Sequence, residues 1–370
     1  MPTRTRETID QQELARAVRA QLGEATVLAW QATRLGRGRG DNPSSLGVER
    51  VWGRARTPRG ETSWTQIRKV LVRPASPAED AVDHWNHWRR EPAVLASGLL
   101  SELPAGVAAP AVHLIAPDDA GDRIAVWMEH VGEEPAVAWT AQRLLAVAHR
   151  LGRLAGAYLD HDLVDPWWSR DLLGRWVALL PAYAPLLHPS EAAGWDDPRI
   201  RTAYPSGRSG TIPAVLDAAP ALLAGFDAMP TTLCHRDPGL DNLRLRARGT
   251  ELVLFDWALA GVGPVGEDLG SLLAAAVRRW PEDPYRLARR LLTAYLAGVA
   301  SSGGPGVVEA AAVWRTAVTT AALREAIFAA AQLSAALVDG DGAGTGRLAR
   351  FAADASAVEV LAAEALRLRG

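Results

Sequence analysis

Apolar and polar residues alternate over three early segments, ATVLAWQATRLG (25–36), SLGVERVWGRAR (45–56) and SWTQIRKVLV (63–72). That two-residue period predicts half-buried strands. Gly, Asn and Pro separate the segments, so they are expected to be successive strands of an antiparallel sheet, with Gly36-Arg37-Gly38-Arg39-Gly40-Asp41-Asn42-Pro43 as the first turn. A short helix is expected before them, over Thr8 to Leu22, and another after them, around Ala78 to Leu100. A Pro-rich segment (LPAGVAAPAVHLIAP) and a strand-like run, RIAVWMEHV, then bring the sheet to about five strands. From Thr140 onward the period becomes helical in an Ala/Leu/Arg texture, broken by the loops DHDLVDPWWSRD and GWDDPRIRTAYPSG. Two short strand-like pieces, TTLCHRD and ELVLFDW, interrupt this helical half, and GDGAGTG reads as a loop between two alanine-rich helices.

The chain has 370 residues, and at roughly 150 residues per domain it accommodates two or three cooperating units. Apolar residues at 48% and charged residues at 22% exclude a disordered chain. The formal charge of −2 leaves no global field to recruit nucleic acid or an anionic membrane. A single cysteine, Cys234, excludes an intrachain disulfide and any CxxC metal site, and its apolar flank predicts a buried small hydrophobe. The N-terminal segment is polar, and no uncharged apolar stretch approaches the roughly 20 residues of a membrane span. The expected location is therefore cytoplasmic. Among the 40 Lys+Arg residues only Lys69 is a lysine, so that one ammonium needs a reason.

The chemistry concentrates in His235-Arg236-Asp237, followed by Asn242 and then by Asp256 at the end of LVLFDW. The order H-x-D-x4-N, then a β-type run ending in Asp, suits phosphoryl transfer. One carboxylate must lie in line with an attacking hydroxyl, while a carboxamide and a second carboxylate hold Mg²⁺ against a triphosphate. His, Asp and Asn also occur in loops by chance, but an ordered set with strands on both sides weighs against that.

LCHRDPGLDNLRL followed by LVLFDWALAGVGPVGEDLG resembles the aminoglycoside phosphotransferase and choline kinase-like superfamily, over nearly the whole chain. The resemblance implies an α+β, protein kinase-like, two-lobed fold. Residues 1–130 would form an N-terminal, nucleotide-binding antiparallel sheet lobe, and residues 131–370 a larger, mainly helical C-terminal lobe with the catalytic loop and acceptor site. It implies ATP (or GTP) and Mg²⁺ in the cleft, Asp237 as catalytic carboxylate with His235 supporting its loop by hydrogen bonding, and Asn242 and Asp256 as Mg²⁺ ligands. Asp268 in GEDLG falls on a structural aspartate, and Met128, Glu129 and His130 on the inter-lobe hinge whose backbone would meet the adenine.

Thr65, Ile67, Lys69 and Leu71 share one strand face, so an ammonium projects from an apolar surface. In a kinase such a lysine neutralises phosphate oxygens and a helix glutamate holds it. Glu91 in the WRRE segment is the expected partner, with Glu79 as alternative; Pro92 departs from the pattern, because it disfavours helical backbone at Glu91. Gly36, Gly38 and Gly40 would let the first turn present backbone N–H groups to phosphates, although this is no Walker A sequence.

The acceptor is expected at irregular segments of the helical half, Asp160 to Arg170 and Gly194 to Ser209, with Asp162, Trp168 and Asp197 as candidates. The 14 tryptophans are otherwise read as packing residues. Among acceptors used in the superfamily, an aminoglycoside-like or amino-sugar hydroxyl is placed first, and a metabolic sugar, choline-like amino alcohol or homoserine second. A nucleotide-binding pseudokinase is the reading from a different class. Expected partners are a small-molecule hydroxyl acceptor, with neither nucleic acid nor membrane, in a monomer or homodimer.

Overall fold

The computed structural model describes residues 9–35, 44–132, 138–187, 192–246, 249–280, 283–303, 308–339 and 359–369. Its strands, in chain order, are β1 (Thr26–Arg34), β2 (Ser45–Thr57), β3 (Gly60–Val72), β4 (Val107–Ala108), β5 (Val112–Pro117), β6 (Arg123–Glu129), β7 (Thr231–Cys234), β8 (Leu243–Arg246), β9 (Glu251–Leu254) and β10 (Gly261–Pro264). The helices are α1 (Gln11–Leu22), α2 (Arg90–Ala96), α3 (Ala141–Ala157), α4 (Leu172–Tyr183), the short α5 (Ala192–Trp195), α6 (Pro198–Ala203), α7 (Thr211–Asp217) and α8 (Ala219–Leu223), and the longer α9 (Glu267–Arg279), α10 (Pro284–Ser301) and α11 (Ala310–Asp339). Residues 359–367 are helical as well. The glycine turn expected to cover phosphates, with Gly36, Gly38 and Gly40, lies outside the described residues.

The chain folds into two compact units. One comprises Met1–Val137, Asp165–Trp167 and Leu243–Leu259; the other comprises Ala138–Val164, Trp168–Asn242 and Ala260–Gly370. A division at residue 130 does not contain this return of the chain, in which β8 and β9 join the first unit by pairing β9 with β4.

In the first unit five strands form an antiparallel sheet in the order β1-β2-β3-β6-β5. Alternation along β3 divides its side chains between two cores. Trp64 and Val70 pack with Leu14, Ala17 and Val18 of α1, whereas Ile67 and Leu71 pack with Trp88, Val126 and Met128. Both faces are covered, which explains why this strand carries apolar residues on both of them. α1 begins where Asp10 accepts the backbone N–H groups of Gln12 and Glu13, later than the helical pattern from Thr8 suggests. Its Glu13 carries polar bonding into the core, accepting from Arg68 Nε at 2.9 Å, Trp127 Nε1 at 2.7 Å and Arg123 Nη2 at 3.2 Å.

The helix expected from Ala78 to Leu100 is only α2, Arg90–Ala96, with a 3-10 turn at Leu99–Ser101. Arg90 accounts for much of the difference. Its guanidinium, fully buried, donates to the carbonyls of His84 at 2.7 Å, Trp85 at 2.6 Å and Trp167 at 2.8 Å, so a side chain satisfies backbone oxygens that a helix would otherwise bond. Pro92 does not break α2 as its sequence position suggests. It sits in the first turn, where its missing N–H has no intrahelical partner to lose.

The second unit is mainly helical. α3 and α10 run close enough that a Cβ on Gly152 would lie 2.0 Å from the Tyr295 carbonyl oxygen. Among the described residues α11 is the one helix long and apolar enough to cross a membrane by length and composition, and 61% of that window is buried inside the protein. Val313, Ala317, Val318, Leu323 and Ile327 face the core, so its apolarity is that of a core helix. The short antiparallel pair β7·β10, with Cys234 opposite Gly261, is set among these helices.

Candidate functional site

Chemistry-bearing residues gather in a cluster within each unit. In the sheet unit, alternation places Lys69 on the Ile67 and Leu71 face of β3, under α2. Its Nζ lies 2.6 Å from Glu91 Oε2 and 2.8 Å from Asp256 Oδ1. Glu91, rather than Glu79, is therefore the glutamate that meets it. Lys69 is 6% exposed, and burial alone would push its ammonium down. The Asp256 and Glu91 carboxylates overcome that and hold it well above the ordinary lysine value. Burial raises the Glu91 carboxyl against the pull of Lys69.

Asp256 follows β9 in a left-handed backbone conformation, φ 65°. This turns its side chain out of the strand path, where one oxygen meets Lys69 and the side chain keeps 42% exposure. Glu129, expected at the hinge, accepts from Arg246 Nη1 at 2.8 Å and from the Ala111 N–H at 3.1 Å, while its own N–H donates to the Ala111 oxygen. Glu129 is thus bonded to its neighbours through side chain and backbone. Met128 is buried and His130 half-buried at the end of β6.

In the helical unit, β7 leads into the loop His235–Asn242, whose backbone is anchored from two sides. Asp268, in the first turn of α9, accepts the N–H of His235 at 2.9 Å and of Arg236 at 2.6 Å. Arg236 adopts φ 68°, and its fully buried guanidinium donates to the Ser169 carbonyl at 2.9 Å and the Val262 carbonyl at 2.7 Å, with Nε 3.0 Å from Glu267 Oε1. Gly261 makes room for this, since a Cβ there would lie 2.0 Å from the Ser169 oxygen and 2.5 Å from Arg236 Nη1. Burial raises the Asp268 carboxyl to about 7, against the two N–H bonds that favour its anion. Burial likewise holds the Cys234 thiol protonated, as befits a small apolar residue.

This scaffold aims Asp237 outward. Its side chain is 29% exposed, one carboxylate oxygen accepts Asn242 Nδ2 at 2.8 Å, and the other meets Arg324 of α11. Asn242 Nδ2 also donates to the Asp237 backbone oxygen at 3.1 Å. The Asn242 amide nitrogen is therefore turned to Asp237, and its carbonyl oxygen points the other way. His235 is fully buried, and its Nδ1 accepts the Asp237 N–H at 3.3 Å. Its ring is thereby bonded within the loop and closed to solvent.

Of the acceptor candidates, Asp162 is exposed, whereas Trp168 is 4% exposed and packs inside the helical unit. Asp197 caps α6 through the Arg199 N–H at 2.8 Å and pairs with the Arg199 guanidinium at 3.0 Å. Trp168 and Asp197 thus carry structural tasks of their own. Sequence reading missed Arg324, Arg236 and the Arg90 clamp. Arg236 had a signal in its place between His235 and Asp237; Arg324 had none, being one arginine in an alanine-rich helix.

No cluster of three or more His, Cys, Asp or Glu side chains able to hold a metal by itself occurs among the described residues. Each unit offers one oxygen donor of the hard kind that Mg²⁺ takes alongside phosphates and water, the Asn242 carbonyl in the helical unit and the Asp256 carboxylate in the sheet unit.

A sheet unit of this order with a helical unit bearing the β7·β10 pair is the protein kinase-like fold. The profile of the phosphotransferase enzyme family matches residues 89–307, and the chain belongs to that family. Lys69 precedes the matched range. Solved structures agree on the fold across nearly the whole chain. The aminoglycoside phosphotransferase of Alicyclobacillus acidocaldarius is 15% identical, with 100% of this chain and 98% of that chain covered and a TM-score of 0.59. The amicoumacin kinase hAmiN, solved with AMP-PNP, Ca²⁺ and Ami, is 16% identical over 94% and 93% of the two chains, with a TM-score of 0.55. The choline kinase of Cryptosporidium parvum Iowa II is 11% identical over 88% of each, with a TM-score of 0.53. No curated protein matches the chain significantly.

Proposed function

We propose that this protein is an ATP-dependent O-phosphotransferase that moves the γ-phosphoryl group onto a hydroxyl of a small molecule. The observation that carries the reading is the Asp237·Asn242 pair. A carboxylate is held at partial exposure by the amide nitrogen of a residue whose oxygen is thereby left for a hard cation. Family membership and the fold shared with nucleotide-bound hAmiN support it.

In this reading Asp237 accepts or orients the proton of the attacking hydroxyl. Asn242 and Asp256 hold Mg²⁺, and Lys69, fixed by Glu91, neutralises phosphate oxygens. Bound Mg²⁺-nucleotide supplies the phosphoryl group and the main neutralising charge; the transition state is loose, so the chain contributes positioning and electrostatics. His235, Asp268 and Arg236 keep the loop in shape for Asp237. Gly36, Gly38 and Gly40 are assigned to the phosphates, and the backbone from Met128 to His130 to the adenine. The site of action is the cytoplasm.

An aminoglycoside-like or amino-sugar acceptor is the first reading, supported by the names of several fold relatives. A metabolic sugar, choline-like amino alcohol or homoserine is the second, and among these the guanidinium of Arg324 beside Asp237 favours the uncharged sugar. Measuring ADP release across hydroxyl acceptors, with Asp237→Asn as control, tests the reaction. Transfer by the wild type and its loss by about a thousandfold or more in the variant is expected. Nucleotide binding without transfer to any acceptor would instead make the chain a pseudokinase.

A further inference from the structure

α11 brings a fixed positive charge to the catalytic loop. The Arg324 side chain is 13% exposed. Its Nη1 donates to the Arg236 backbone oxygen at 2.7 Å, and its Nη2 to Oδ1 of Asp237. Trp176 and Phe328 flank the guanidinium, each ring centroid 5.4 Å from Cζ, and the two rings meet edge-on at 5.4 Å. The neighbouring Glu325 pairs with Arg278 of α9, which pins the same turn of α11. Moving Arg324 off Asp237 would forfeit two ring contacts and two charge-assisted hydrogen bonds together.

We propose that Arg324 is a specificity-determining residue. It cancels the local charge of Asp237, so that acceptors with a neutral or anionic group beside the reactive hydroxyl are preferred to those bearing an ammonium there. The inference rests on the proposed phosphotransferase reading, with Asp237 as the carboxylate that meets the hydroxyl. A hydroxyl bonded to the oxygen that Arg324 also holds lies roughly 5 Å from the guanidinium. An ammonium on the carbon next to that hydroxyl reaches a similar range, where in a partly buried setting the like charges repel strongly enough to offset what it gains from Asp237. An unaccompanied carboxylate would attract the same ammonium. Arginine keeps its charge at any working pH, so the discrimination is permanent rather than titratable.

The test uses hydroxyl acceptors paired by shape and differing in charge: glucosamine with N-acetylglucosamine, choline with 3,3-dimethylbutanol, and 2-deoxystreptamine with inositol. ADP release is measured for wild type, Arg324→Lys and Arg324→Met. Within any pair that is phosphorylated, the wild type should favour the neutral member. Arg324→Met should shift kcat/KM toward the cationic member by about tenfold, mainly through its KM, and Arg324→Lys should keep the wild-type order. A purely structural role would lower both members of a pair alike. An unchanged ratio in Arg324→Met, or a wild type that prefers the cationic member, would overturn the inference and leave the phosphotransferase reading standing. No transfer to any acceptor by the folded, nucleotide-bound wild type would bring down that reading, and the inference with it.

Discussion

Lys69 and Asp256 stand 187 residues apart in sequence and form a 2.8 Å ion pair. The only lysine of the chain is thereby tied to the carboxylate assigned to Mg²⁺, with Glu91 on its other side. Lys69→Met should lower nucleotide affinity by about tenfold or more and cut turnover further, and Lys69→Arg should rescue little, because a planar fork does not replace a compact ammonium between two carboxylates. Labelling with ¹⁵N-lysine yields a single side-chain signal in this chain. That signal should move when Mg²⁺-ATP is added to the wild type; a signal indifferent to nucleotide would remove Lys69 from the phosphate-binding role. Asp256→Asn should raise the Mg²⁺ concentration needed for half-maximal turnover.

Asp268 should make stability depend on pH. Its folded value of about 7 lies above the ordinary 3.8, so between those values the native state holds a proton that the unfolded chain releases. The contribution is therefore complete below about pH 4 and is lost as pH rises through 7, over a range of about 2 to 4 kcal/mol. Asp268→Asn cannot accept both loop N–H groups and should be less stable at low pH by about 1 to 3 kcal/mol. Urea denaturation at pH 4.5 and 8 should show that deficit shrinking as pH rises; a constant difference would mean that Asp268 does not titrate in this window.

Glu13 joins α1 to the sheet. Burial works to raise its carboxyl, and the Arg68 hydrogen bond and charge, with Trp127 and Arg123, outweigh it and leave the group below its ordinary value. Glu13→Ala strips Arg68, 1% exposed at its side chain, of its closest carboxylate, and should cost about 3 kcal/mol. Glu13→Gln should cost less, since it keeps an oxygen for the Trp127 N–H. Equilibrium unfolding reads both; equal losses would show that the lost charge, rather than packing or the retained oxygen, sets the whole cost.

Asp162, exposed in the segment before α4, is the acceptor candidate with no structural task seen in the fold. Asp162→Ala should raise the acceptor KM by several-fold and leave ATP affinity and melting temperature alone. Trp168→Ala should instead lower the melting temperature, because the indole is buried. Steady-state kinetics with both substrates varied decides whether this segment meets the acceptor.

Sequence alone determined what is local. The two-residue period drew β1 to β3 nearly to their ends, because side chains that alternate between core and solvent must alternate in polarity. The run from His235 to Asn242 and the terminal aspartate of LVLFDW showed which residue types could serve phosphoryl transfer, because those groups lie close along the chain. Tertiary structure decided what depends on distant segments. It selected Glu91 over Glu79 for Lys69, replaced most of an expected helix by loops bonded to the Arg90 guanidinium, and returned residues 243–259 to the sheet unit. It also carried Arg324 from the last long helix to Asp237, 87 residues upstream. A charge in the middle of an apolar helix has no period that names its partner. Only packing, which excludes water and obliges each buried ion to find its counter-charge, makes the choice.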